Sequence, residues 1–201
     1  MNDYPSLNVR FPEKEIFLRT GGHLTRTEMS ADEKNHFRSL ALRAFDRCTP
    51  CGRWEFFEVG KVAVDGIILA DGTVIAGSDF AARCVGITHL WCGFATAGKA
   101  VVALRDRASD IYEKVVFDAV GAETADGAMD MLHALAATEL RRHNLIMHSR
   151  RYSPGYGDMP LFMQQFFFDR LALSELEISL NEAYYMTPEK SVTAFCGITA
   201  G

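Results

Sequence analysis

Residues 67–76 have the sequence IILADGTVIA, in which Asp71-Gly72 separates two short apolar runs. An Asp-Gly pair between β-forming residues is typical of a two-residue β-hairpin turn. Upstream, Trp54 to Val59 and Val62 to Ala70 are rich in strand-forming residues, and Thr88 to Phe94 continues the pattern downstream. These segments predict neighbouring antiparallel strands around the hairpin.

Helical patterns lie on both sides of these strands. Ser30 and Glu33 form an S-x-x-E capping box, which predicts a helix over 31–48. Further predicted elements are a short helix over 79–85 capped by Ser78, two helices between 99 and 144 broken near Ser109-Asp110, a helix opened by Asp158 and Pro160, and an extended tail over 178–198. Gly121 and Gly127 fall inside the long helix, where we expect close packing by a neighbour.

Strand groups separated by a helical block predict an α+β fold. We expect a single domain with a mainly antiparallel twisted sheet, a long helix and several shorter helices. The chain has 201 residues, of which 48% are apolar and 23% charged, as in ordinary globular domains. We expect one unit over 1–201, with a helical N-terminal segment at 1–50 and a core at 51–201.

Composition excludes several function classes. The net charge of −5 argues against nucleic acid as a partner, because phosphate binding needs a basic face. No apolar run approaches the roughly 18 residues of a membrane span, so no membrane partner is expected. The N-terminus lacks the apolar core of a signal peptide, and five cysteines are an odd number. We therefore expect a cytoplasmic protein with reduced thiols.

Gly93 to Lys99 has the G-x-x-x-x-G-K frame of a phosphate-binding loop. The next residue is Ala100, where Mg²⁺ binding needs a Ser or Thr hydroxyl. We favour a turn between a strand and a helix, permitted by glycine, over a nucleotidase site.

Cys48 and Cys51 form a C-x-x-C pair, which can be a redox dithiol or half of a zinc site. No second ligand pair follows at suitable spacing, and a helix rather than a strand precedes the pair. Unengaged cysteines are the favoured interpretation, and both functions stay open.

Residues 150–160, RRYSPGYGDMP, combine loop-forming glycines and prolines with Arg and Tyr. Arginine offers a two-pronged donor to a carboxylate, Gly155 allows close backbone approach, and Tyr156 offers an aromatic face to a cation. The loop suits a zwitterionic small molecule with a positive centre. The alternative is a surface loop in which Arg caps a helix and Tyr packs.

The R-x-x-x-G-Y pattern from Arg151 to Tyr156 resembles the S-adenosylmethionine-binding signature of the activation domain of cobalamin-dependent methionine synthase. The stretch from Met186 to Thr193 is similar to the family's M-x-P-x-x-S-V-[ST] pattern. Weaker likenesses at Asp79 to Arg83 and Phe117 to Gly121 extend the resemblance over about residues 60–195.

The resemblance implies a binding site for S-adenosylmethionine. Arg151 would bind the methionine carboxylate, the backbone at Ser153 and Gly155 would hold the ligand, and Tyr156 would lie against it. Asp126 on the long helix would balance the positive charge of the ligand. Two positions depart from the family pattern, since Asp126 replaces a longer Glu and Gly157 replaces a common Pro. No catalytic acid or base and no metal ligand is expected.

The resemblance also implies partners. The chain is too short for the cobalamin, folate and homocysteine modules. We therefore expect a stand-alone reactivation subunit that supports reductive remethylation of cob(II)alamin on a separate protein. Its cobalamin would come from a corrinoid-binding protein, or from a methionine synthase lacking its activation domain, with a reductant such as a flavodoxin or ferredoxin. The alternative is a non-catalytic module that binds a corrinoid protein and has lost S-adenosylmethionine binding.

Overall fold

The computed structural model describes residues 1–22 and 28–201. The strands are β1 (Asn2–Tyr4), β2 (Cys51–Val62), β3 (Gly66–Leu69), β4 (Val74–Ala76), β5 (His89–Thr96), β6 (Leu145–Met147), β7 (Ser179–Leu180), β8 (Met186–Thr187) and β9 (Ser191–Ala200). The helices are α1 (Glu13–Arg19), α2 (Ala31–Phe45), α3 (Ser78–Arg83), α4 (Lys99–Arg107), α5 (Ile111–Arg142) and α6 (Gln164–Arg170), with 3-10 turns at Leu161–Met163 and Leu173–Leu176.

Seven strands form one antiparallel sheet in the order β4-β3-β2-β5-β9-β6. The additional strand, β1, pairs with the first part of β2, on the edge that β3 occupies further along. Strands β7 and β8 form a separate two-stranded ribbon. The predicted α+β fold, with its antiparallel sheet and long helix, is confirmed.

The hairpin at Asp71-Gly72 is present, but its loop is longer than predicted. Leu69 N–H donates to Thr73 C=O, so the loop has the three residues 70–72 instead of two. Gly72 has φ of +87°, as the last residue of such a loop requires. The predicted strand over 62–70 was also wrong at its start. Ala63 N–H donates to Gly66 C=O across a tight turn, which ends β2 at Val62.

The two faces of the sheet bury different side chains because strand residues alternate. Cys92, Phe94 and Phe195 face α3, α6 and the 3-10 turns in one apolar cluster. Trp91 and Ala194 belong to a second cluster on the other face, which also contains side chains of α5. A third cluster holds α1, α2 and α4 against α5. The sheet therefore lies between two helical layers.

Local signals in the sequence predicted the starts of α2 and α5. The Ser30–Glu33 capping box is formed, and Asp110 caps α5 by accepting from Tyr112 N–H at 3.0 Å. Helix α2 ends at Phe45, three residues before the predicted end. A side chain at Gly121 would lie 3.3 Å from Val101 of α4, and one at Gly127 would lie 2.9 Å from Val9. Both glycines thus permit the close packing that was expected.

Among the described residues, no helix combines the length and the apolar character needed to cross a bilayer.

Candidate ligand-binding site

A cavity of about 550 Å³ opens at the outer edge of β9, beyond the point where β6 pairs with it. Helices α3 and α5, β9 and the loop after β6 provide most of the wall. Its lining residues are Asp79, Phe80, Arg83, Asp126, Met129, Arg150, Arg151, Tyr152, Ser153, Pro154, Tyr156, Gly157, Asp158, Met159, Gln164, Met186, Ser191, Val192, Thr193 and Ala194. Four of the five residues predicted for the site, all except Gly155, therefore line this one cavity.

The loop over 150–160 is fixed to the sheet at its start. Tyr152 and Phe195 exchange backbone hydrogen bonds of 2.9 and 2.7 Å. The centroid of the Tyr152 ring lies 4.8 Å from that of the Phe80 ring. Ser153 C=O then accepts from Tyr156 N–H, and Gly155 between them has φ of +87°. A Pro-Gly pair in the middle of a turn suits this conformation, which explains why the sequence forms a tight turn here.

Asp158 fastens the far end of the loop to α3. Its carboxylate accepts from Ser78 N–H and hydroxyl and from Asp79 N–H at 3.2 Å. These hydrogen bonds, the Ser78 hydroxyl foremost, hold the pKa of Asp158 below its usual value. Ser78 was predicted to cap this helix with its own side chain, and that was wrong. It is the first helical residue, and the capping carboxylate comes from 80 positions away.

Replacing Asp158 with alanine is expected to lower the melting temperature slightly and to weaken ligand binding several-fold, because a lost cap frees the loop. Since the pKa of Asp158 is lowered in the folded protein, the ionised carboxylate stabilises the fold at neutral pH. This stabilisation is lost as the pH falls through the lowered pKa. Thermal melts and titrations of Asp158→Ala and Asp158→Asn test this. Unchanged ligand affinity in both variants would contradict it.

Arg151 points its guanidinium across the cavity wall to α5. Its Nη2 donates to Asp130 Oδ1, and the Arg151 side chain is 27% exposed. Since the partner carboxylate is 71% exposed, the pair is a weak surface contact that a ligand carboxylate can displace.

Asp126 lies one turn before Asp130 on α5. Its carboxylate accepts from Arg19 Nη2 at 3.0 Å, and Arg19 also binds Glu123. Half of the Asp126 side chain is exposed, and burial of the rest raises its pKa against the opposing effect of Arg19. The neighbouring carboxylates of Glu123 and Asp130 raise it further. A cation in the cavity would favour the charged form of Asp126.

The remaining predicted residues differ in their positions. Ser153 lines the cavity, and Tyr156 lies at its rim with 78% of its surface exposed. Gly155 lies outside the lining, and its N–H donates to Met159 C=O at 3.0 Å. Gly155 therefore shapes the turn that presents its neighbours.

Several lining residues were not assigned to the site from the sequence. Asp79 and Arg83 of α3 and Met186 and Thr193 near β9 belong to stretches that carried the resemblance, and that signal could have identified them. Gln164 at the start of α6 had no such signal. Its place in the wall depends on how α6 packs against β9.

The G-x-x-x-x-G-K frame forms no phosphate cradle. Gly93 lies in the middle of β5, where a side chain would collide with the Trp91 ring. Gly98, with φ of +86°, makes the turn into α4. The interpretation as a strand-to-helix turn is confirmed.

All five cysteines lie in the described part of the chain and are free thiols. Burial raises the pKa of Cys48 to about 11 and also raises that of Cys51. Both thiols are therefore protonated at neutral pH, which disfavours redox and metal chemistry there. Within residues 1–22 and 28–201, no three His, Cys, Asp or Glu side chains form a cluster able to hold a metal.

Comparison with solved structures places the chain in the fold class of methionine synthase activation domains. It is similar to a crystal structure of the MetH reactivation domain bound to AdoHcy, with a TM-score of 0.66 and 16% sequence identity over 97% of this chain and 79% of that one. At this identity the likeness concerns the fold. No protein-family model matches the sequence, and no curated protein matches it either.

Proposed function

We propose that this protein binds S-adenosylmethionine and serves as a stand-alone reactivation subunit for a separate corrinoid protein. The observation that carries the proposal is the convergence of Arg151, Asp126 and Tyr156 on one 550 Å³ cavity. The fold, which is similar to that of a reactivation domain bound to AdoHcy, supports the same ligand class.

The charges of the cavity suit the methionine half of the ligand. That half carries a carboxylate, an ammonium and a sulfonium group. Arg151 receives the carboxylate in exchange for its contact with Asp130, since a guanidinium offers two parallel donors to a carboxylate. Asp126, which lines the same cavity, balances the positive centre.

The rim of the cavity suits donor placement. Tyr156 is largely exposed there, so its ring can cover the ligand and contact the sulfonium through its aromatic face. Ser153 and the turn at Gly155 hold the ligand from the other side. Methyl transfer from a sulfonium needs placement of donor against acceptor, and this chain supplies that placement.

The acceptor comes from a partner. Cobalamin bound to a corrinoid-binding protein, or to a methionine synthase lacking its activation domain, supplies the cobalt that accepts the methyl group. A reductant such as a flavodoxin or ferredoxin would supply the electron that reduces cob(II)alamin for this methyl transfer. The net charge of −5 favours neither nucleic acid nor an anionic membrane surface as a partner, and we place the protein in the cytoplasm.

Calorimetric titration of the purified protein with S-adenosylmethionine and with S-adenosylhomocysteine is the direct test. We expect saturable one-to-one binding of both ligands, because the carboxylate and the base are common to them. Adenosine, which lacks the amino-acid half, should bind far more weakly. Absence of binding at millimolar concentrations of either ligand, with and without a corrinoid partner present, would contradict the proposal.

The second candidate is a non-catalytic module that binds a corrinoid protein without the ligand. The ion pairs Arg19–Asp126 and Arg151–Asp130 favour it, because they engage the two charged side chains that the first proposal assigns to the ligand. Capture of a corrinoid methyltransferase with equal yield in the presence and absence of S-adenosylmethionine would support this function over the first.

A further inference from the structure

The end of the cavity away from α5 contains a buried amide. Gln164, the first residue of α6, is 9% exposed and lines the cavity. Its Oε1 accepts from the Thr193 hydroxyl at 2.7 Å, which fixes the orientation of the amide. Thr193 itself is 2% exposed.

The amide nitrogen of Gln164 has a free donor. No hydrogen bond from Nε2 is formed within the described residues. There, the only fully enclosed side-chain polar atoms without a partner are the indole nitrogens of Trp54 and Trp91. The Nε2 atom is therefore accessible from the cavity. A ligand acceptor in the cavity can therefore reach this donor and replace the water that would otherwise bind it.

The backbone of Thr193 has a free acceptor nearby. Phe195 directs both its N–H and its C=O outward to Tyr152, so the alternation of the strand directs those of Thr193 to the same edge. Continuing that pairing brings Thr193 opposite Pro154, which has no N–H to donate. Among the described residues, no donor reaches the Thr193 carbonyl.

Apolar side chains enclose this end. Phe80 and Met159 are almost fully buried, and Met186 is partly buried on the same wall. Thioethers make favourable contacts with aromatic rings, so such walls suit a flat heterocycle. Asp126 and Arg151, the two charged residues assigned to the methionine half, lie on the α5 side, where Ala194 also points. Asp79, Arg83 and Asp158 line the cavity on the α3 side, where Asp158 caps the helix.

We propose that this end of the cavity binds the adenine base of the ligand, an inference that rests on the proposed function. One free acceptor beside one free donor complements an amino group next to a ring nitrogen. In adenine these are the 6-amino group and N1. Thr193 C=O accepts from the amino group, and Gln164 Nε2 donates to N1. Gln164 is thus a specificity-determining residue for a 6-aminopurine.

The test compares S-adenosylhomocysteine with S-inosylhomocysteine, in which a carbonyl replaces the amino group and N1 carries a proton. We expect the unaltered protein to bind the adenine ligand at least about 10-fold more tightly, since the inosine edge places donor against donor. In Gln164→Leu, affinity for the adenine ligand should fall about 10-fold and the preference should shrink. Thr193→Val should act in the same direction with a smaller effect.

Gln165→Leu is the matched control, because the Gln165 amide binds Asp169 at 2.9 Å and lies outside the cavity lining. It should leave both affinities unchanged. Equal binding of the two ligands by the unaltered protein would overturn the base subsite, and so would an equal loss of both in Gln164→Leu. Failure of the unaltered protein to bind S-adenosylhomocysteine at all would overturn the proposed function itself, and the subsite with it.

Discussion

Replacing Arg151 with alanine is expected to weaken S-adenosylmethionine binding by about 100-fold, because it leaves the ligand carboxylate without its ionic partner. Arg151 and Asp126 line the same cavity. Arg151→Lys should lose less, since an ammonium keeps the charge and lacks the two-pronged geometry. Calorimetric titration of both variants measures the effect.

The control variant is Arg141→Ala. This arginine lies on the last turn of α5, and among residues 1–22 and 28–201 its guanidinium bonds only to Ala137 C=O of the same helix. It should bind like the unaltered protein. Arg151→Ala should also change the free energy of unfolding by no more than about 1 kcal/mol, because the contact with Asp130 is a surface ion pair. A loss of affinity below threefold in a folded Arg151→Ala protein would exclude the predicted role for Arg151.

Replacing Phe195 with alanine should produce the largest loss of stability, about 3–5 kcal/mol. The side chain is fully buried. The centroid of its ring lies 4.2, 5.6 and 5.9 Å from the ring centroids of Phe167, Phe166 and Phe80. Its removal leaves a cavity that rigid sheet backbone on one side cannot close. For a chain of this size, the loss corresponds to a melting temperature lower by roughly 10 °C or more.

Thermal and urea unfolding of Phe195→Ala test this, with Phe162→Ala as the control. Phe162 is 46% exposed, so its truncation should cost less than half as much. Ligand binding should weaken in Phe195→Ala as well, since the lost ring packs against Phe80, which lines the cavity. Comparable stability of the two variants would show that this aromatic cluster does not hold the sheet.

Elements with local chemistry were predictable from the sequence. The Ser30–Glu33 capping box, the Asp110 cap and the turn at Asp71-Gly72 depend on residues within a few positions of each other. Strands β1 and β6 were not predicted. Each has three residues and is stabilised only by pairing with a strand distant in sequence, which leaves no periodic signal.

The candidate site also combines features that the local sequence predicts with features that depend on distant residues. The turn from Ser153 to Tyr156 follows from its own Pro-Gly pair. The contact of Arg151 with Asp130 spans 21 positions and the cap from Asp158 to Ser78 spans 80, so neither was visible locally. The resemblance supplied Arg151 and Asp126 as members of one site, and the structure places both in the lining of one cavity.

By itself, the sequence determined the α+β class, the starts of α2 and α5, the position of the hairpin turn and the chemical types available to the loop. Each of these depends on short-range sterics and hydrogen bonds. Only the tertiary structure decided that Gln164 meets Thr193 and that no donor from the described part of the chain reaches the Thr193 carbonyl. The physical reason is that sheet register and helix packing, set by side chains far apart in the chain, determine which polar groups remain unpaired.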